Sequence, residues 1–304
     1  MKAVFMGTPE LAVPTLRALT DDVEVTCVVT QPDRRAGRGR HMRPPPVKVV
    51  AEELGLPVWQ PGSLRRHADD PRLADCDLLV VFAYGEILPE ALLARPRIAP
   101  INLHCSLLPR WRGASPMQAA LRAGDHQTGI SIQRMVRALD AGPVYCRHRL
   151  PLPPTTTLPE LHDQLAVLGA MAMGRFLRDL PLLEPLPQDP ERVTWCGKLT
   201  HEDGHIDWRQ DADAVERQVR AYTPAPGCWT RSGDQRIGIR AVRVLTDVHL
   251  PPGRTAQRGR TIVVGCGYGG VSLERLQPAG KRPMSARSYL NGHPLPAAFD
   301  LPAP

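Results

Sequence analysis

Leu78-Leu-Val-Val-Phe-Ala83 is an apolar run with no polar interruption. A strand with one face in water alternates apolar and polar side chains. A strand this uniform is buried on both faces, as the central strands of parallel sheets are. Other apolar, β-prone runs lie to either side: Lys2–Met6, Val23–Thr30, Ile101–His104 and Gly129–Met135. Between them, Glu10 to Leu19, Val47 to Leu54 and Met117 to Ala123 carry apolar residues at helical spacing. Strands alternating with helices predict an α/β domain built on a doubly wound, mostly parallel sheet. Its first turn is Gly7-Thr-Pro-Glu10 and not Gly-x-Gly-x-x-Gly, which argues against a dinucleotide cofactor there.

Further along, Asp140-Ala-Gly-Pro143 reads as a turn into a strand at Val144–His148, and Leu158–Leu180 as a long helix closing the first domain. Met171 and Met173 on that helix read as packing residues. Four prolines between Pro181 and Pro190 suggest a stiff linker. From Ala221 onward the chain is rich in Gly, Pro and β-prone runs, including Arg236–Val244 and Thr261–Val264, which predicts a small β-barrel. Gly265-Cys-Gly-Tyr-Gly-Gly270 reads as a hairpin turn, since no helical pattern follows it. The expected division is a first domain over 1–180, a linker over 181–203 and a barrel over 204–304.

The 304 residues suit two domains, and 42% hydrophobic residues suffice for an ordinary core. No apolar run of about 18 residues exists to span a membrane, and the apolar start of the chain is too short for a signal peptide. The seven cysteines are odd in number and none form C-x-x-C, which suits reduced thiols and no zinc site. A soluble, cytoplasmic, metal-free protein is expected. The net charge of +7 is unevenly spread: residues 31–50 carry +5, residues 231–290 carry +8, and the remainder −6. Such blocks are either solvated faces or contacts for a polyanion such as nucleic acid. Between Gln31 and Pro46, the density of Pro and Gly around Arg34, Arg35, Arg38, Arg40, His41 and Arg43 predicts an exposed loop.

The chemistry concentrates in Ile101-Asn-Leu-His-Cys-Ser-Leu-Leu-Pro-Arg-Trp-Arg-Gly113. Strand residues two apart share a face, so Asn102 and His104 emerge together. His104 falls where the strand ends, and ligands of open α/β sheets sit beyond the carboxyl ends of strands. By themselves one Asn and one His near a strand end are more often hydrogen-bonded structural residues than catalysts. The full string, Asn-x-His followed by Ser-Leu-Leu-Pro-x-x-Arg-Gly, resembles the signature of the folate-dependent formyltransferases, and Asp140 within Leu139-Asp-Ala-Gly142 matches that family's later Asp. Gln31-Pro-Asp-Arg-Arg-Ala-Gly-Arg-Gly39 resembles a loop insertion of the family's tRNA-formylating branch. Gly204–Trp208, Arg220–Trp229 and Leu276–Ala286 resemble the same branch, so the likeness spans essentially the whole chain.

The resemblance implies a Rossmann-like formyltransferase domain joined to an OB-like barrel that helps grip tRNA. It implies formyl transfer from 10-formyltetrahydrofolate to the α-amino group of methionyl initiator tRNA, releasing tetrahydrofolate, with no metal. Asn102 would be an oxyanion donor, His104 a second donor and proton shuttle, and Asp140 the group that orients His104. Whether His104 or Asp140 is the base stays open. Ser106, Leu107, Leu108 and Pro109 correspond to the folate-binding loop; Phe82, Tyr84, Gly85, Ile87 and Leu88 to the segment meeting the pterin edge. Arg34, Arg38, Arg40 and Arg43, with Lys281 and Arg282, would contact tRNA, Arg38 being the match to the loop's most important arginine. Cys105 departs from the family's small residue and Pro143 from its acidic or polar one; neither is a chemical position. A monomer is expected. The alternatives are a formyltransferase acting on an amino sugar nucleotide or another small amine, which would need neither the arginine loop nor so basic a C-terminal domain, and a non-catalytic nucleic-acid binder, which leaves the Asn-x-His and Asp pattern without a purpose.

Overall fold

In the computed structural model, residues 1–36 and 41–302 are described, and they form two compact units. The first comprises residues 1–116, 127–151 and 161–196; the second comprises 117–126, 152–160 and the chain from 197 onward.

The first unit holds a seven-stranded sheet: β1 (Lys2–Gly7), β2 (Glu24–Val29), β3 (Val58–Trp59), β4 (Leu78–Phe82), β5 (Ala99–His104), β6 (Gln127–Arg134) and β7 (Val144–Pro151), in the spatial order β3-β2-β1-β4-β5-β6-β7. The first five are mutually parallel; β6 is antiparallel to β5 and β7 to β6. The order reverses between β1 and β4, where doubly wound sheets take their ligands. Every residue of β4 is buried, as its uniform apolar run requires. One face of the sheet packs Val4, Met6, Val29, Val81 and Tyr84 into a core completed by Leu64, Leu73, Leu88 and Leu92. On the other face Phe82 and Thr15 press against Gly169, where a Cβ would already sit within 3.1 Å of both. Thr15 lies on α1 (Val13–Asp22) and Gly169 on a long helix, Leu158–Asp179.

The arginine-rich segment differs from the expected loop. Arg34–Ala36 and His41–Arg43 pair as a short antiparallel ribbon separate from the main sheet, with Arg34 opposite Arg43. Its Pro residues lie outside the paired positions, at 32 and 44–46, so no ladder hydrogen bond is lost to them. Asp33 anchors the base: its carboxylate accepts from Lys48 Nζ (3.0 Å) and Gln60 Nε2 (2.8 Å), contacts that hold its pKa below the ordinary carboxylate value. The expected linker also differs. Leu186 exchanges backbone hydrogen bonds with Val144, and Trp195–Cys196 pairs in parallel with Arg112–Gly113, so the chain up to Cys196 is woven into the first unit.

The second unit contains an antiparallel sheet of Cys228–Ser232, Gln235–Leu245, Gly270–Pro278, Thr261–Gly265 and Thr255–Arg258, in that spatial order, with Met284–Ser285 added beside Gly270–Pro278. Gly265 and Gly270 close a hairpin, as their spacing predicts. The amphipathic helix Ala212–Tyr222 buries Val215, Val219 and Tyr222. Its Tyr222 hydroxyl accepts from Arg122 (3.0 Å), and Arg220 donates to the Thr156 carbonyl (2.6 Å). Among the described residues no helix is long and apolar enough to cross a membrane.

Candidate active site

Asn102 and His104 project from the carboxyl end of β5, two residues apart and so on one face. The register places Asn102 opposite Gln133 and His104 opposite Ser131 on β6, and cross-strand partners share that face. On its other side β5 pairs with β4, Asn102 level with Val81, so the segment following Phe82 leaves the sheet at the same end.

His104 is buried, and its Nε2 lies 2.8 Å from the backbone carbonyl oxygen of Trp111. A carbonyl only accepts, so Nε2 carries a proton, and in the neutral form of the ring Nδ1 is the nitrogen free to accept one. Nδ1 faces Asp140 Oδ1 at 3.7 Å, an electrostatic contact too long for a hydrogen bond. Asp140 thus stands beside the imidazole without hydrogen-bonding it, and the hydrogen bond that holds the ring is the one to the Trp111 carbonyl. The Asp140 carboxylate is itself held, Oδ2 by the Gly113 N–H (2.9 Å) and Oδ1 by Gln133 Nε2 (3.0 Å). Asn102 is half-buried, and among the described residues nothing hydrogen-bonds its side-chain amide. One amide donor is thus left for a ligand.

Backbone conformation marks the same place. Among the described residues three non-glycines adopt a left-handed backbone: Ala83 (φ 52°), Trp111 (φ 61°) and Asp140 (φ 49°). One follows β4, one supplies the carbonyl to His104 and one faces it. Such conformations cost of order 1–3 kcal/mol each and persist where surrounding contacts over-determine them. Here the Trp111 N–H donates to Thr194 Oγ1 (2.8 Å). Gly113 (φ 116°) runs so close to its partner strand that a Cβ would collide with the Cys196 carbonyl oxygen.

The other sequence-predicted residues divide by exposure. Phe82, Tyr84, Leu88, Ser106 and Leu108 have buried side chains, so they can meet a ligand only through backbone or by shaping the pocket wall. Gly85 is exposed and Ile87 is 64% exposed, while Leu107 and Pro109 are half-buried. The Ser106–Pro109 loop is braced: Ser131 Oγ donates to the Ser106 carbonyl (2.7 Å) and accepts from the Leu108 N–H (3.0 Å), and Arg147 donates to the Leu108 carbonyl (2.7 Å). Cys105 is buried, and burial pushes its thiol up to about 12, which leaves it in the unreactive form. Arg34 and Arg43 are exposed on the ribbon, Arg34 donating to Gln31 Oε1 (3.1 Å); Lys281 and Arg282 are exposed in the turn after Pro278; Arg38 and Arg40 lie outside the described residues. Among the described residues no three or more His, Cys, Asp or Glu gather as metal ligands would.

Sequence reasoning missed Trp111, Gly113, Gln133, Gln188 and Thr194. Only Gln133 carried a local signal: Ile130 and Ile132 alternate with Ser131 and Gln133, giving β6 one polar face. The remainder act through the backbone or across long separations.

Asn102, His104 and Asp140 lie at the carboxyl end of β5, next to the strand at which the order of this doubly wound sheet reverses, and the chain falls among the formyl transferases. That family's sequence pattern, "Formyl transferase", matches residues 1–177, and "Formyl transferase, C-terminal domain" matches 198–294. The methionyl-tRNA formyltransferase of Roseobacter denitrificans is 44% identical over 298 residues, covering 96% of each chain. That of Gluconobacter oxydans is 43% identical over 307 residues, 99% of this chain and 100% of its own. The chain belongs to the methionyl-tRNA formyltransferase family. Among solved structures, an N-formyltransferase from Helicobacter canadensis, in complex with folinic acid and dTDP-3-aminofucose, superposes with a TM-score of 0.69 at 11% identity, covering 91% of this chain and 99% of its own. HypX from Aquifex aeolicus, in complex with tetrahydrofolic acid, gives 0.62 at 15% identity, covering 96% and 48%. These two likenesses concern the fold.

Proposed function

We propose that this chain transfers the formyl group of 10-formyltetrahydrofolate to the α-amino group of methionine esterified to initiator tRNA, acting as a cytoplasmic monomer with residues 1–180 catalytic and the C-terminal sheet helping to hold the tRNA. Near-full-length identity to methionyl-tRNA formyltransferases supports the activity. The observation that carries the chemistry is the convergence of a spare amide donor, an imidazole of fixed tautomer and a braced carboxylate at the end of β5.

An α-amino group has a reference pKa of about 8, so it must shed a proton to attack. That proton leaves to solvent before the attack; as the new C–N bond forms the attacking nitrogen becomes cationic, and His104 accepts one of its two remaining protons at Nδ1 while its Nε2–H stays with the Trp111 carbonyl. The imidazolium then faces the Asp140 carboxylate. Asn102 donates to the formyl oxygen as the C=O electron pair moves onto it. When that pair returns, the bond to N10 breaks and His104 gives its proton to the departing nitrogen. Gly113 and Gln133 keep the carboxylate aimed while the charge appears and leaves. Backbone groups of the exposed Ala83 and Gly85, with the Ile87 side chain, supply the surface for the pterin ring, and Ser106–Pro109 its adjoining wall. Arg34, Arg38, Arg40, Arg43, Lys281 and Arg282 bind phosphates, guanidinium groups doing so through paired donors.

The test is formyl transfer to charged initiator tRNA, with uncharged initiator tRNA, charged elongator tRNA and a dTDP-linked amino sugar as comparisons. Turnover with charged initiator tRNA alone is expected. Turnover with the amino sugar and none with tRNA would replace this reading by the sugar-modifying one.

A further inference from the structure

Gln188 lies in the proline-rich stretch that the sequence assigns to a linker, yet its side chain reaches the turn bearing Asp140. Its Nε2 donates to the backbone carbonyl oxygens of Asp140 (2.8 Å) and Gly142 (2.7 Å), using both amide hydrogens. Its Oε1 accepts from Arg112 Nε (3.0 Å). Two carbonyl acceptors on one end and a guanidinium donor on the other fix which way the amide points. The turn it grips is the one where Asp140 holds a left-handed backbone at φ 49°. Arg112 precedes Gly113, whose N–H holds Asp140 Oδ2. Gln188 also approaches Gln133 Oε1 at 3.5 Å, and Gln133 holds Asp140 Oδ1. Each group that hydrogen-bonds the carboxylate or carries its backbone is therefore tied to this one amide, directly or through one neighbour.

We propose that Gln188 is a positioning residue for formyl transfer: by clamping the carbonyls of residues 140 and 142 it holds the Asp140 carboxylate against His104 Nδ1. The inference rests on the roles assigned to His104 and Asp140 above. A residue two hydrogen bonds from the chemistry touches neither substrate, so it acts on turnover and leaves binding alone. A misplacement of about 1 Å at a reacting group can cost about a hundredfold in rate.

The experiment measures kcat and both KM values for wild type, Gln188→Met, Gln188→Glu, Asp140→Asn and the double variant Asp140→Asn with Gln188→Met, each with a thermal unfolding midpoint so that rates refer to folded enzyme. Gln188→Met keeps the length and loses all the hydrogen bonds. Gln188→Glu keeps the acceptor toward Arg112 and loses the donors, so it reports if the methionine variant fails to fold. Both single variants are expected to lose about tenfold to a hundredfold in kcat with KM values within about threefold of wild type. In the Asp140→Asn background Gln188→Met is expected to cost no further rate, because the group it positions is gone. A Gln188→Glu variant with wild-type kcat would overturn the proposal, as would a full, additive loss in the double variant. A normal rate for Asp140→Asn would remove the role the proposal serves, and a wild-type enzyme inert toward charged tRNA would remove the activity itself. The three failures are thus distinguishable.

Discussion

Replacing Asn102 by Ala separates chemistry from folding more cleanly than any other change at the site. The Asn102 amide is half-buried and, among the described residues, unbonded. Its removal breaks no protein hydrogen bond and strands no buried partner, so the usual penalty of about 1–3 kcal/mol for an orphaned polar group does not arise. What remains is a change of strand propensity, worth up to about 1 kcal/mol, or a shift in unfolding midpoint of no more than about 4 °C. Loss of one oxyanion donor costs about 10²–10³ in turnover, equivalent to about 2.7–4 kcal/mol of transition-state stabilisation. The assay is formyl transfer at saturating donor and charged tRNA, with the donor KM and the unfolding midpoint measured on the same preparation. The expected result is a kcat lowered by two to three decades, a nearly unchanged donor KM and an intact fold. A kcat within about threefold of wild type would refute the donor role. So would a rate loss accompanied by collapse of the midpoint, since the residue would then be holding the strand together. Asp140→Asn provides the contrast: its new NH₂ must oppose either the Gly113 N–H or Gln133 Nε2, so rate and stability should fall together.

Gly113→Ala should destabilise the first unit by about 2–4 kcal/mol, from backbone strain and from collision with the Cys196 carbonyl, and should also lower kcat by displacing the N–H that holds Asp140; denaturant unfolding read beside activity checks both. The apparent KM for charged tRNA should rise steeply between 50 and 200 mM salt, these being about the concentrations over which phosphate contacts weaken markedly; a KM indifferent to salt would detach Arg34, Arg43, Lys281 and Arg282 from tRNA binding. Burial raises Cys105, Cys228 and Cys266 to about 12, so at pH 8 only about one thiol in 10⁴ is ionised at each, and a mass-spectrometric alkylation time course should find all three inert until the protein unfolds.

The sequence by itself determined the features whose physical cause is local. A strand buried on both faces must be apolar throughout, and Leu78–Phe82 announced the parallel sheet for that reason. Strand periodicity of two put Asn102 and His104 on one face without any tertiary information. The hairpin at Gly265–Gly270 was legible from its glycines. The ribbon at Arg34–Ala36 and His41–Arg43 was not, because Pro and Gly density conceals which residues pair.

Only the tertiary structure decided how the imidazole works. The likeness to known formyltransferases supplied Asp140 as a companion of His104, but not that a backbone carbonyl, and not the carboxylate, fixes the ring's proton on Nε2. Every residue owns a carbonyl and an N–H, so the Trp111 and Gly113 contacts leave no trace in residue type. Gln188 belongs with them: a glutamine in a proline-rich stretch gains meaning only when chain closure brings two carbonyls from far upstream within reach of its amide.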